Sequence, residues 1–538
     1  MLGSDTVKAP RRTSGLIRHL TLLDVILIVV ATPAASGIVY YSVSKAAAYP
    51  GGSVWLAFLI GMLLFLPICV LVGTASAAAP RPGGMYVFVS RTLGPRVAVV
   101  ASALFFFGYS LTIGVLGGIV VRLLATLFQT LAGRHANVWA TVAQTLSSDE
   151  AVLLGGLLWV VFFWAISSFG LRVFRPVARL LYIVPLAGTA VVLWVFFSAS
   201  PEGFAASFDS AWGSGVSAKV TELARAAGWS SPEFSWPNTF GLLLVVLWAF
   251  GGVEMAGYAS GEVRSARRSM LWGYILGWVI LGGLYIALSA SVYSAVGPDF
   301  PGAYAYLYDN HPDKLQALLG FSPPAPSVPF YLISVLGPTA LSVVLVVCLL
   351  LWFVNTMPGF FLGISRLLFA LGLDGQLPAS FRNYSVRWRS PTTANHATAI
   401  VAVFGVILYA YHAGSVLATI DFSIYFFVWL YGLAAIVYAF GQRSPLASVG
   451  FAGKRLAGVP ILAILGALVF LEGWLFVFLT LGDLSWPARG WLLGILAVIV
   501  GGIAMQQRRV AASGIDETAI YVSMPLDAEE HVDEQHSS

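Results

Sequence analysis

The sequence predicts an all-α integral membrane protein of about 12 transmembrane helices. Ten of them form a 5+5 inverted repeat with discontinuous helices 1 and 6, and two extra helices follow at the C-terminal end. Three observations predict this. Hydrophobic residues make up 58% of the 538-residue chain and charged residues 10%, with a mean hydropathy of +0.85, whereas a soluble chain carries about 25% charged residues. Apolar runs of membrane length, about 20 residues each, recur along the chain. Glycine or proline interrupts the first and the sixth run.

In chain order the candidate spans are 22–43, 54–77, 97–128, 152–169, 177–198, 239–260, 270–295, 330–355 (running on to about 370), 396–412, 415–440, 457–481 and 489–506. The third and eighth exceed the bilayer thickness, which implies tilt or extension beyond the membrane. Residues 1–19 form an N-terminal tail and 20–508 the membrane domain, with repeat one at about 22–198, repeat two at about 239–440 and helices 11–12 at about 457–506. The segment 509–538 is a tail whose last 25 residues hold seven acidic side chains and no Lys or Arg, a composition that predicts disorder.

Lys and Arg in the loops set the orientation. With the N-terminus inside, 22 fall in inside segments and six outside, and Lys45 sits at the outer end of span 1. This places both termini in the cytoplasm and the chain in the cell membrane as a multi-pass protein. It also accounts for the net charge of +5 without a nucleic-acid partner. Two long outside connections, 199–238 and 296–329, read equally as lids or as decoration.

Span 1 carries "ATPAASGIVYY", residues 31–41. With the basic residues upstream, these small residues resemble a signal-peptidase site. They equally describe a membrane helix that breaks midway, since Pro33 removes a backbone donor and Gly37 weakens the helix. Span 6 carries "WAFGGVEMAG", residues 248–257, in which Glu254 follows Gly251-Gly252 by two residues. A carboxylate inside the membrane is costly and normally faces the protein interior, marking a pathway or a packing partner. Interrupted helices at matching positions of two halves point to a substrate site at the bilayer midplane. Their open ends offer N–H groups to an anion and carbonyls to a cation, which suits the two charges of an amino acid.

Other chemistries find little support. The two cysteines, Cys69 and Cys348, lie in apolar stretches, and the seven histidines are scattered over span ends, loops and tail. No nucleophile–base or metal constellation can be assembled from them, so no enzyme, metal or cofactor is expected. A nucleotide-binding loop is missing as well, which argues against ATP-driven transport.

Four stretches resemble the amino acid–polyamine–organocation superfamily, whose fold is the leucine-transporter-type inverted repeat. They are "ASGIVYY" in span 1, with Ala35 where the first glycine of Gly-Ser-Gly-Ile is usual; "PRPGGMYVFVSRTLGP" at 80–95; "WAFGGVEMAGYASGEVRSARR" at 248–268, with Ser265-Ala266 in place of Asn-Pro; and "SRLLFALGLDGQLPASFRNYSVRWRSP" at 365–391. The resemblance implies a permease that moves an amino acid or similar small amine by alternating access, through proton coupling or exchange. The alternatives are a polyamine or organic-cation transporter, or a sensor or channel of the same fold. It further implies that the backbone of Ala34, Ala35, Ser36, Gly37 and Ile38 holds the substrate carboxylate. Trp248, Ala249, Phe250, Gly251 and Gly252 would receive the amino group, with Trp248 as a stacking or gating aromatic. Glu254 matches a glutamate that responds to protons in some members. Phe105, Tyr109 and Phe360 are candidates for the wall of the site, with ordinary core packing as the alternative reading. Span 5 carries no buried lysine, and Asn355-Thr356 is a poor match to a sodium site.

Overall fold

The computed structural model describes residues 16, 18–44, 48–132, 137–230, 233–320, 322–441, 453–483 and 485–513. Of residues 36, 41, 247, 412–427, 479–483, 506–507 and 509–513 only the backbone is described. The first 15 residues and the acidic tail beyond 513 therefore lie outside the described part. The described chain is helical apart from a two-residue hairpin pairing Arg455–Leu456 with Val459–Pro460.

Helix α1 (Leu22–Ser36) starts at a capping box in which the Thr21 N–H donates to the Asp24 carboxylate at 2.8 Å. Pro67 separates α2 (Val54–Leu64) from α3 (Leu66–Ala78), which together cross as one kinked span. A short α4 (Gly84–Thr92) leads into α5 (Pro95–Ala132), then α6 (Val138–Leu146), α7 (Asp149–Ser168) and α8 (Leu171–Ser198). The first long connection folds as α9 (Pro201–Trp212) and α10 (Val216–Ala226). The sixth run is split into α11 (Trp236–Gly241), α12 (Leu243–Ala249) and α13 (Met255–Tyr258). After α14 (Ala266–Val296) the second long connection forms α15 (Asp299–Asn310) and α16 (Pro312–Leu319). The chain closes with α17 (Val328–Leu336), α18 (Ala340–Leu373), α19 (Thr392–Phe440), α20 (Ile461–Asp483) and α21 (Trp486–Ser513).

Among the described residues nine helices are long and apolar enough to cross a membrane. Three shorter apolar helices, Leu22–Ala35, Trp236–Val246 and Val428–Phe440, fall in the remaining expected spans. One expectation is corrected. The eighth run is two helices, because Gly337 (φ 71°) and Pro338 break it and the Thr339 hydroxyl caps α18 anew. Spans nine and ten fall in α19 (Thr392–Phe440), along which the chain reverses: Tyr409 lies beside Gly118 of α5, and Tyr438 lies back beside Phe88 of α4.

The two long connections are packed rather than loose. Phe204, Phe208 and Trp212 of α9 are buried with Phe300 and Tyr304 of α15 and Phe330 of α17. Ring centroids are 4.9 Å apart for Phe204–Phe300, 5.0 Å for Phe208–Phe300 and 4.7 Å for Tyr304–Phe330. Such a cluster gives a cap a core of its own.

Candidate functional site

The first interruption is not a gap but a change of helix. Pro33 lacks an N–H, the Gly37 N–H turns to the Ala34 carbonyl, and Gly37–Tyr41 continues as a wider π turn. Single π turns of this kind are frequent at functional sites because they leave the backbone ladder irregular. Ala34, Ala35, Gly37 and Ile38 are buried, and Ser36 is described only by its backbone. The second interruption runs from Phe250 to Glu254, where Gly252 sits at φ 104°. That conformation is open to glycine and strained for a residue with a Cβ.

The two interruptions lie against each other, and a residue outside the expected set joins them. The Tyr285 hydroxyl of α14 lies 2.9 Å from the Pro33 carbonyl and 2.7 Å from the Ala249 carbonyl, at the broken ends of α1 and α12. A tyrosine has a single donor proton, so one hydroxyl serves both breaks. The same ring packs on Gly37, where any Cβ would overlap it. A Cβ on Gly252 would lie 2.9 Å from the Phe360 ring and 3.4 Å from the Thr32 carbonyl. The α18 helix closes this contact, with the Thr356 hydroxyl donating to the Ala31 carbonyl at 2.9 Å.

Glu254 is 3% exposed and accepts a hydrogen bond from the Tyr109 hydroxyl. Tyr274 holds the backbone beside it, accepting from the Gly257 N–H at 2.8 Å and donating to the Glu254 carbonyl at 3.3 Å. Tyr109 stacks against Phe105 (4.6 Å) and Phe360 (4.8 Å), and Phe105 against Tyr258 (5.1 Å). The structure thus brings Phe105, Tyr109, Gly252, Glu254 and Phe360 together. It does not bring the Phe250 ring to them. That ring packs with Trp278 (4.7 Å) and Tyr285 (5.2 Å), which leaves Phe250 to act through its backbone. Trp248 is half-buried on the last turn of α12. Two buried oxygens at the α8–α18 contact, Tyr182 Oη and Asn355 Oδ1, have no hydrogen-bond partner among the described residues. No group of metal-binding side chains occurs among those residues.

The remaining motif residues gather at the end of the bundle that carries residue 20. Glu262 and Arg366, each 1% exposed, form a two-pronged ion pair at 2.6 and 3.1 Å. Arg91 pairs with Asp374 in the same way, 2.9 Å between Nη2 and Oδ1, and the Tyr86 hydroxyl donates to that carboxylate at 2.8 Å. The backbone of His19 and Leu20 donates to the Glu262 carbonyl, and the Arg264 N–H donates to the Leu20 carbonyl. Asp24 on α1 accepts from Arg175 (3.0 Å) and Arg179 (2.6 Å) on α8.

Two interrupted helices meet at a shared tyrosine in a multi-pass membrane protein, with ion pairs at one end of the bundle. A family model described as amino acid permease matches residues 20–502. The chain belongs to the amino acid permease family, within the amino acid–polyamine–organocation superfamily, and is a transporter of amino acids across a membrane.

Proposed function

We propose that the chain is a secondary active permease whose amino acid site lies between the interruptions at 34–38 and 248–252. The observation that carries this reading is the Tyr285 hydroxyl bound to both the Pro33 and the Ala249 carbonyls. In this reading the backbone N–H groups near Gly37 take the substrate carboxylate, and the carbonyls near Trp248 to Gly251 take its amino group. Phe105, Tyr109 and Phe360 shape the side-chain pocket. The chain crosses the membrane 12 times as a 5+5 inverted repeat plus two helices, with both termini in the cytoplasm of a cell-membrane protein. The ion pairs of Asp24, Glu262 and Arg91 then close the cytoplasmic side, and their opening releases substrate.

Transport is coupled to protons or proceeds by exchange, with Glu254 as the proton carrier. A screen of the purified protein against the twenty amino acids tests the substrate class, because a ligand that binds only the folded state raises its melting temperature. No stabilisation by any of them would count against an amino acid as the substrate. Glu254→Gln is expected to flatten the pH dependence of uptake in proteoliposomes while the protein stays folded. An unchanged pH profile would assign Glu254 to packing alone.

A further inference from the structure

A cavity of about 340 Å³ lies away from the interrupted helices. This is within the range of small-molecule sites, about 300–1,000 Å³. Val99 and Phe107 of α5, Leu371 of α18, Phe381, and Gly502 and Met505 of α21 are among the residues that line it. The walls are almost wholly hydrocarbon, so the occupant is an apolar chain. Nothing stands within 4 Å of a Cβ added at Gly502, which shows open space on that side of α21.

The rim carries the second observation. Arg96 precedes Val99 by three residues on α5, Arg508 follows Met505 by three on α21, and Arg382 adjoins Phe381. A spacing of three places each helical arginine on the face of its lining neighbour. All three arginines are exposed, and none has an ion-pair partner among the described residues. They belong to the loops whose positive charge assigns this face to the cytoplasm. Basic pockets between membrane helices on that side suit anionic lipid headgroups, and guanidinium groups match phosphate with paired hydrogen bonds.

We infer that this cavity is a binding site for an anionic phospholipid of the inner leaflet, with one acyl chain between α5 and α21 and the phosphate against Arg96, Arg382 and Arg508. The occupant is a lipid rather than a free phosphate because the apolar volume lies directly beneath the charged rim. The test uses the full-length protein in detergent, incubated with phosphatidylglycerol or phosphatidylcholine, and reads lipid retention by native mass spectrometry together with melting temperature. Phosphatidylglycerol is expected to be retained with about hundred-fold preference, as three arginines near an anionic surface imply, and to raise the melting temperature. Gly502→Phe fills the cavity and should abolish retention; replacing glycine inside a helix does not penalise folding. The triple variant Arg96→Gln, Arg382→Gln, Arg508→Gln should bring phosphatidylglycerol retention down to that of phosphatidylcholine. Equal retention of both lipids by the unmodified protein would overturn the inference. So would retention of phosphatidylglycerol by either variant at the unmodified level.

Discussion

At the scale of single residues, the arrangement rests on a hydroxyl. Breaking a membrane helix exposes carbonyls that hydrocarbon cannot satisfy, and Tyr285 answers at two breaks with one proton. Tyr285→Phe keeps the ring against Phe250 and Gly37 and deletes only the bridge. Leaving buried carbonyls unpaired costs about 1–3 kcal/mol. The melting temperature should fall and amino acid uptake should fall with it, both measured on the same preparation. A variant as stable and active as the parent would show that the bridge holds nothing. Neither the apolar pattern nor the motifs single out Tyr285, since it is one aromatic among many on an ordinary-looking span.

At the scale of elements, the family motifs prove to be partners of one another. Glu262, from the stretch after span 6, pairs with Arg366 after span 8. Arg91, from the stretch after span 2, pairs with Asp374, also after span 8. These residues therefore secure one end of the bundle and do not contact the interruptions. Removing one member of a buried pair strands a charge, so Arg366→Ala should destabilise by about 3–5 kcal/mol. The double change Glu262→Gln with Arg366→Met should recover most of that in thermal or denaturant unfolding, because no lone charge remains. The departure at Ser265-Ala266 also acquires a physical meaning. Ser265 caps α14 at φ 47°, a left-handed conformation that asparagine tolerates better than serine. Ser265→Asn is expected to raise stability, readable as a higher melting temperature with transport unchanged.

At the scale of the whole molecule, the ion pairs and the cap make the two ends of the bundle different. Asp24 ties α1 to α8 through Arg175 and Arg179, and the Leu20 backbone ties the same strand of chain to Val263 and Arg264. At the other end α9 and α15 share an aromatic core. Asp24→Asn removes the charge that holds two arginines and should shift the resting population toward a state open at the N-terminal end. A cysteine introduced as Ala35→Cys, in a Cys348→Ser background, is then expected to react several-fold faster with a membrane-impermeant thiol reagent added from that side. Equal rates in both backgrounds would show that Asp24 does not hold that end closed.

Much was legible in the chain itself. Low charge and long apolar runs announce membrane helices because hydrocarbon excludes charge and demands internal backbone pairing. Pro33-Gly37 and Gly251-Gly252-Glu254 announce irregular backbone because proline lacks a donor and glycine permits φ 104°. Phe105, Tyr109 and Phe360 follow from the resemblance, and the structure groups them around Glu254. Other features depend on residues far apart in sequence. The π turn at Gly37–Tyr41 and the Phe250 ring turned toward Trp278 are both settled by what packs alongside. The sequence by itself determined a membrane-embedded helical protein with two weak points, since composition and backbone chemistry are local. Only the tertiary structure decided that the weak points meet at Tyr285 and that the signature charges pair with each other, because contacts between residues far apart in sequence leave no local pattern to read.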